Sequence, residues 1–167
     1  MTIAIELRRA EPADAASVAD IHDAAWRGAY LGMISGLTLE RMISRRGAAW
    51  WRRAIRGNSE VLLLEVGGVC AGYVTCGPTR MRNLPYRGEI YELYLRPEYQ
   101  GLGFGRNLFT GARDKLSRAG YDTHAVRVLS DNDPACRFYK AMGGEKVRQS
   151  NERVGDDILP ISIYGWS

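Results

Sequence analysis

The stretch Gln100-Gly101-Leu102-Gly103-Phe104-Gly105 decides the fold, because it joins a predicted strand to a predicted helix. Residues 90–95, with the sequence IYELYL, have the aromatic and aliphatic content of a buried central strand, which Pro97 ends. Apolar residues then recur at helical spacing from Phe104 to Ala119, and Gly120 closes that helix. The first N–H groups of a helix have no partner inside it and lie at the positive end of its dipole. We therefore expect the glycine stretch to bind an anion, since glycines let a phosphate approach the backbone.

Two common phosphate loops do not match this stretch. The dinucleotide-binding fingerprint requires a small residue where Arg106 stands. Gly67 to Gly72 has the interval of the Walker loop, but Tyr73 follows where a lysine is required. The predicted anion site therefore belongs to neither of these nucleotide-binding classes.

The rest of the chain predicts strands and helices on both sides of this stretch. Residues 3–7 alternate apolar and polar side chains as a half-buried strand does, and the segment Glu11 to Asp14 opens a first helix. Thr38 is the expected cap of a second helix that ends around Gly57. The order predicts an α/β layer structure in which helices cover a mixed sheet. The remaining predicted elements are a hairpin of residues 61–66 and 69–76, strands at residues 123–129, 146–148 and 158–164, and a helix that the cap Asp133-Pro134 begins and Gly143-Gly144 ends.

The composition is that of one self-supporting globular domain. The 167 residues are 46% hydrophobic and 25% charged. A chain of this length buries roughly 70% of its unfolded surface without needing disulfides or a structural metal, so we expect a single domain over residues 1–167. The formal net charge of +4 suits an anionic ligand. The charges are interspersed, however, which argues against nucleic acid binding by charge alone.

Cysteine and histidine usage predicts a reduced compartment and no metal site. Cys70, Cys76 and Cys136 are odd in number and scattered in apolar settings, so we expect three buried thiols. His22 and His124 are the only histidines, and no H-E-x-x-H or C-x-x-C motif is present. No stretch approaches the roughly eighteen apolar residues of a membrane span. The expected location is the cytoplasm, without membrane association.

A second motif indicates a particular family. Gln100, Gly103 and Gly105 match Q/R-x-x-G-x-G/A, and residues 132–144, NDPACRFYKAMGG, match N-x-x-A-x-x-F-Y-x-x-x-G. With both motifs in this order and interval, the sequence resembles the GNAT superfamily of acetyl-CoA-dependent N-acetyltransferases over almost the whole chain. The resemblance implies an α+β layered fold, with a mixed, mostly antiparallel twisted sheet of about seven strands flanked by about four helices.

By this resemblance, the protein takes acetyl-CoA as co-substrate and uses no metal. The pyrophosphate would lie on the N–H groups of the glycine loop, and the pantetheine arm beside the central strand where that strand parts from residues 123–129. The alternative for the glycine stretch is a tight turn into the helix that binds no ligand. The cofactor-binding residues that the resemblance implies are Leu93, Tyr94, Leu95, Gln100, Gly101, Leu102, Gly103, Phe104, Gly105, Arg106, Asn132 and Tyr139.

Tyr139 matches the general-acid tyrosine of the family, which would give a proton to the departing thiolate. A phenol is a weaker acid than a thiol, so part of this role would be hydrogen bonding. The alternative for Tyr139 is a core aromatic residue beside Phe138. The backbone N–H of Leu95 or of a neighbour is the expected donor to the oxyanion.

The general base is expected on the central strand. Glu89 occupies the position where some family members carry a catalytic glutamate, and a surface acid at a strand end is the alternative. Glu92 is the other acid of this strand, and strand alternation predicts that the two lie on opposite faces. Other members carry a glutamate where Arg127 stands here, so a water chain ending on backbone carbonyls is the second candidate base.

The acceptor site is expected between the first two helices and the loops before the central strand. Arg45, Arg52 and Arg56 lie on one side of the second predicted helix, either as a solvated face or as the site of an acidic acceptor. The aromatic candidates for the acceptor site are Trp26, Tyr30, Trp50, Trp51, Tyr86 and Tyr91.

The resemblance implies transfer of acetyl to a primary amine of a small molecule, by direct attack in a ternary complex. Three alternatives stay open: acetyl transfer to a protein N-terminus or lysine, a non-catalytic acyl-CoA sensor, and nucleic acid binding through the basic helix. The expected partner is a small-molecule amine, with no nucleic acid and no membrane. A homodimer stays open, because dimerisation is common in the family.

Overall fold

One mixed sheet of seven strands forms the centre of the computed structural model, which describes residues 2–57 and 59–167. The strands are β1 (Ile5–Arg9), β2 (Glu60–Val66), β3 (Val69–Pro78), β4 (Gly88–Leu95), β5 (His124–Leu129), β6 (Glu145–Val154) and β7 (Asp157–Trp166). They lie in the order β1-β2-β3-β4-β5-β7-β6, and the only parallel pair is β4 with β5. The predicted mixed, mostly antiparallel sheet is confirmed.

Helices cover both faces of this sheet. Leu62 and Leu64 of β2 pack on one face, and Val61 and Leu63 pack on the other, as strand alternation requires. In the described residues the helices are α1 (Ala15–Tyr30), α2 (Gly36–Ser44), α3 (Ala48–Arg56), α4 (Phe104–Arg118) and α5 (Asp133–Ala141). The first three lie on the Leu63 face, and α4 and α5 lie on the Leu62 face.

The predicted second helix from Thr38 to Gly57 is wrong, because two helices occupy this range. The chain leaves helical geometry at Gly47, which has an extended backbone (φ −73°, ψ −176°) and begins α3. Glycine weakens a helix interior through its backbone entropy, so it is a natural break between two short helices. The break places Arg46 on a junction between α2 and α3 instead of on one continuous helical face.

The final hairpin is longer than the sequence pattern predicts. The pattern predicts residues 146–148 as a strand, whereas β6 runs from Glu145 to Val154 and pairs with β7 along its whole length. Gly155 makes the turn at a φ of +62°, a conformation that glycine adopts without strain. The sequence of β6 is mostly polar because this edge strand is largely exposed.

The centre of the sheet parts between β4 and β5. These two strands pair only where Gly88 to Ile90 lie beside His124 to Val126. Beyond Ile90, the rest of β4 has β3 as a neighbour and is not paired with β5. Alternate backbone groups of residues 91–95 therefore point into a gap in the sheet.

A β-bulge in β4 corrects the prediction that Glu89 and Glu92 lie on opposite faces. Thr75 of β3 pairs with Glu92 and Cys76 pairs with Ile90, so Tyr91 is an extra residue in β4. One extra residue shifts the alternation by one, and both glutamates therefore line the face covered by α1 to α3.

The three cysteines differ in how deeply they are buried, whereas both histidines are buried. Cys76 is buried, whereas Cys70 and Cys136 are half-buried, so the prediction of three buried thiols is correct only for Cys76. His22 and His124 are buried.

Within residues 2–57 and 59–167, every helix is too short or too polar to span a bilayer. In the same residues, no three His, Cys, Asp or Glu side chains are grouped as a metal site would require.

Candidate active site

The glycine loop before α4 has the backbone conformation of an anion site. Gly101 and Gly103 adopt φ angles of +75° and +89°, and a Cβ at either residue would meet no described atom within 4 Å beyond its own chain neighbours. Gly103 is the residue that begins α4, so the free N–H groups of the first helical turn follow it directly. Gly105 has a different role, since a Cβ there would lie 3.1 Å from the ring of Phe138. It lets α4 and α5 approach each other closely.

Gln100 ties the loop to the end of β4. Its side-chain Nε2 donates a hydrogen bond to the carbonyl oxygen of Leu95 at 3.1 Å. Phe104 packs against Tyr99 with ring centroids 6.1 Å apart, whereas Leu102 is exposed. The loop is therefore fixed at both ends and open between them.

The parted strand and α5 face each other across the gap in the sheet. Leu93 and Leu95 of β4 pack toward α4, while Tyr94 points to the opposite face. On the other side of the gap, Asn132 follows β5 and caps α5, and its Oδ1 accepts a hydrogen bond from the N–H of Ala135 at 3.3 Å. The prediction of Asp133 as the cap is wrong by one residue. The amide group of Asn132 still has its Nδ2 as a donor.

Tyr139 is buried among aromatic rings. Its ring lies 6.2 Å from Phe109, 5.2 Å from Phe138 and 6.1 Å from Trp166, centroid to centroid. Burial raises the pKa of its hydroxyl, so the phenol stays protonated. Among the described residues, no group forms a hydrogen bond with this hydroxyl. Tyr139 is thus a core residue by packing, and its hydroxyl has no hydrogen-bond partner among the described residues.

A groove of about 580 Å³ lies on the opposite face of β4, between the sheet and α1 to α3. Five of the six aromatic candidates line it, whereas Tyr86 lies against Gly165 instead. The exposed Arg45, Arg52 and Arg56 are not among its lining residues. The charged side chains that do line it are Arg46, Glu60, Arg80, Arg82, Glu89, Glu92, Arg127, Arg148 and Glu152.

Glu89 lies in the wall of the groove beside the point where the sheet parts. It is 6% exposed, and its Oε1 accepts hydrogen bonds from the backbone N–H of Arg80 at 2.8 Å and from the Thr79 hydroxyl at 3.4 Å. Burial raises the pKa of this carboxyl group, and the Arg80 N–H opposes part of that shift. The alternative of a surface acid does not hold, because the side chain is buried.

Glu92 forms an ion pair that the sequence interpretation did not predict. Its Oε1 accepts a hydrogen bond from Nη1 of Arg46 at 2.6 Å. The Arg46 guanidinium lies 4.4 Å from the ring centroid of Trp50, and Trp26 and Trp51 flank it at 5.9 and 5.7 Å. Burial raises the pKa of the Glu92 carboxyl, and the positive charge of Arg46 opposes this shift. The sequence signal that could have indicated this pair is Arg46 next to Gly47, a few residues before Trp50 and Trp51.

Two tyrosines meet at the open half of β4. The hydroxyl oxygens of Tyr30 and Tyr94 are 2.6 Å apart, so one donates a hydrogen bond to the other. Burial raises the pKa of Tyr30 to about 12 and raises that of Tyr94 as well. Both phenols are therefore neutral near neutral pH.

Arg127 stands where other family members would carry a glutamate, but a carboxylate lies next to it. Nε of Arg127 donates a hydrogen bond to Oε2 of Glu152 at 2.7 Å. Glu152 belongs to the part of β6 that the sequence pattern did not predict as strand. The pair contributes one positive and one negative charge to the groove.

The fold and the two sides of β4 define an acyltransferase. One side has a glycine loop at a helix start beside a gap in the sheet, and the other has a groove with buried acids. The family model described as "Acetyltransferase (GNAT) family" matches residues 16–143. The chain belongs to that family, which confirms the resemblance noted from its motifs.

Relatives and solved structures agree with this assignment. The chain is 28% identical over 163 residues to "Uncharacterized N-acetyltransferase YuaI" of Bacillus subtilis, covering 97% of this chain and 92% of that protein. It is 24% identical over 139 residues to "L-amino acid N-acyltransferase MnaT" of Escherichia coli, covering 83% and 78%. The crystal structure of PaiA N-acetyltransferase from Thermoplasma acidophilum in complex with coenzyme A superposes with a TM-score of 0.76 at 19% identity, covering 95% of this chain and 98% of that one.

Proposed function

We propose that this protein transfers acetyl from acetyl-CoA to a primary amine of a small molecule, by direct attack in a ternary complex. The observation that carries the proposal is that β4 takes part in both predicted sites. One edge of the strand is free for the cofactor arm beyond Ile90, and one face lines the groove with Glu89, Glu92 and Tyr94. An acyl group held at that edge would lie next to an amine held in that groove.

The cofactor would be held mainly by backbone groups. The N–H groups of residues 101–106 would bind the pyrophosphate at the start of α4. The arm would form hydrogen bonds with the free edge of residues 93–95, and Nδ2 of Asn132 would contact it from across the gap. Residues 1–167 act as one catalytic domain, and we place its activity in the cytoplasm, where its cysteines stay reduced.

The chemistry requires a neutral amine, a stabilised oxyanion and a protonated leaving thiolate. Glu89 would accept the amine proton, directly or through water, and its raised pKa makes it a better base than an ordinary carboxylate. The N–H of Leu95 or of a neighbour in the gap would stabilise the oxyanion. Tyr139 would donate a hydrogen bond or a proton to the thiolate.

A small acceptor is supported by the relative that acts on L-amino acids, and the groove of about 580 Å³ has room for one. The first test is thermal unfolding with and without CoA. Ligand at 100 times its dissociation constant should stabilise the fold by about 2.7 kcal/mol. The absence of any shift would refute the cofactor site.

Release of free thiol from acetyl-CoA across a panel of amines then separates an enzyme from a sensor. Stabilisation by CoA without amine-dependent thiol release would indicate a sensor, and activity on peptides alone would indicate a protein acceptor. Glu89→Gln should lower kcat/KM by roughly 100-fold, the lower range for loss of a general base, and remove the rise of kcat/KM through the pKa of Glu89. An unchanged pH profile would favour the water chain as base.

A further inference from the structure

We propose that Arg46 binds a carboxylate of the acceptor, so that the acceptor is an amino acid or a similar small molecule with a carboxylate near its amine. The inference rests on the proposed acetyl transfer to a small-molecule amine. We call the Arg46 guanidinium with Trp26, Trp50, Trp51 and Glu92 the Arg46 subsite.

The fold turns Arg46 into the groove. It stands on the junction between α2 and α3, where its backbone N–H donates to the carbonyl oxygen of Ile43 at 3.0 Å. Its side chain reaches Glu92 of β4 and stays 28% exposed. The adjacent Arg45 is exposed and does not line the groove. Two neighbouring arginines therefore differ in placement, and only one can contact an acceptor.

Three tryptophans surround the guanidinium, and two of its three nitrogens have no hydrogen-bond partner among the described residues. Trp50 covers one face at 4.4 Å, which is a close cation–π contact. A stacked guanidinium still presents its N–H donors in its own plane, in the fork geometry that fits a carboxylate. Among the described residues, Glu92 is the only group that accepts a hydrogen bond from this guanidinium, through Nη1. Nε and Nη2 remain available to a ligand.

Neighbouring charges favour a molecule that carries both signs. Arg46 and Glu92 place one positive and one negative charge side by side in the wall of the groove. A carboxylate on Arg46 would place the adjacent ammonium group on the face of β4 that Glu92 shares with Glu89, the proposed base, which matches the order of charges in an α-amino acid. The nearby His22, Tyr30, Tyr73 and Tyr94 are uncharged near neutral pH because burial disfavours their charged forms.

The other basic residues of the groove are all exposed, whereas Arg46 is partly buried; they are Arg80, Arg82, Arg127 and Arg148. Arg127 is paired with Glu152 at 2.7 Å, and Arg148 donates to the carbonyl oxygen of Asn83 at 3.3 Å. Arg80 is exposed and stacks on Tyr91, with its Cζ 3.7 Å from the ring centroid. Arg46 is therefore the arginine that combines three tryptophan neighbours, free donors and a partly buried position in the groove.

The test compares the proteinogenic α-amino acids that carry a primary amine with their carboxamides as acceptors. Wild-type protein should prefer the carboxylate member of a pair by roughly 10- to 100-fold in kcat/KM, as a charged hydrogen-bonding group does. Arg46→Gln should reduce this preference to less than about threefold, because it lowers kcat/KM for the amino acid far more than for its carboxamide. Arg45→Gln is the matched control and should keep the full preference.

A second variant covers the case in which Arg46→Gln does not fold because Glu92 loses its partner. The double variant Arg46→Gln/Glu92→Gln removes both charges together and should show the same loss of preference. If wild type accepts amines but does not distinguish acid from carboxamide, or if Arg46→Gln slows both equally, the carboxylate subsite is wrong and the acetyltransferase proposal stands.

A binding measurement separates the subsite from catalysis. N-acetyl-L-leucine and N-acetyl-L-leucinamide are titrated into the CoA-loaded protein and followed by calorimetry. Tighter binding of the carboxylate, lost in Arg46→Gln but kept in Arg45→Gln, supports the subsite even if no amine is acetylated. Equal binding of both ligands overturns it.

Discussion

The two sides of β4 are constructed in different ways. On the cofactor side, the contacts proposed for CoA are mostly backbone groups from one continuous segment, residues 100–106. On the groove side, side chains meet from separate elements, such as Arg46 from the α2–α3 junction, Glu92 from β4 and Glu152 from β6. A short motif can fix backbone geometry, whereas a groove depends on how distant elements pack. The acceptor side can therefore change by substitution without disturbing the cofactor side.

The Tyr139 hydroxyl provides the largest expected effect on the cofactor side. Tyr139→Phe keeps the ring that packs against Phe109 and Trp166 but removes the donor. We expect kcat to fall by roughly 100-fold, the lower range for loss of a general acid, with CoA affinity within about twofold. Steady-state kinetics and calorimetry measure the two quantities. Tyr164→Phe changes another buried tyrosine of the same cluster and should leave kcat unchanged. An unchanged kcat in Tyr139→Phe would show that Tyr139 contributes only packing and has no catalytic role.

His22 provides the next largest effect, and it belongs to the groove side. It is fully buried between Trp26 and Trp51, and burial lowers its pKa from 6.5 to about 4. The unfolded chain therefore takes up a proton below about pH 6.5 that the folded protein binds only near pH 4, so stability falls as the pH drops through this window. The shift corresponds to roughly 3 kcal/mol of unfolding free energy.

Urea unfolding at neutral and acidic pH measures this loss. His22→Phe should retain most of its stability across the same window. His124 contributes a smaller loss of the same sign, because burial also lowers its pKa. If His22→Phe loses as much stability as wild type, His22 is not the group that responds to acid.

Gly103 and Gly105 differ in their expected roles on the cofactor side, in ligand binding and in packing respectively. An alanine at Gly103 must adopt a φ of +89°, which costs about 1–2 kcal/mol and should weaken CoA binding by roughly 10-fold. Gly105→Ala instead presses on Phe138 and should lower the melting temperature while changing CoA affinity by less than about threefold. Calorimetry and thermal unfolding of both variants separate the effects. A larger loss of affinity in Gly105→Ala would show that the loop does not present its N–H groups as proposed.

The strand, glycine loop and helix of residues 88–118 are predicted correctly from the sequence, because their signals are local. Glycines at 101 and 103 are the residues that tolerate positive φ, and both adopt it. The groove was predicted less completely, because its geometry follows from tertiary packing. The bulge at Tyr91 brings Glu89 and Glu92 to one face, although no residue of β4 signals it. The helix break at Gly47 turns Arg46 inward and leaves the predicted arginine face outside the groove.

Glu152 provides the smallest effect and the most selective test of the groove side. The Arg127–Glu152 pair is about 40% exposed, so Glu152→Gln should change the unfolding free energy by less than about 1 kcal/mol. The variant leaves Arg127 unpaired, which should lower KM for an anionic acceptor by about twofold at low salt and not at high salt. Glu145→Gln, an exposed position of β6 that does not line the groove, should have no such effect. CoA affinity should be the same in both variants. A shift in CoA affinity in Glu152→Gln alone would mean that groove charge reaches the cofactor side, and the two sides of β4 would then not be independent.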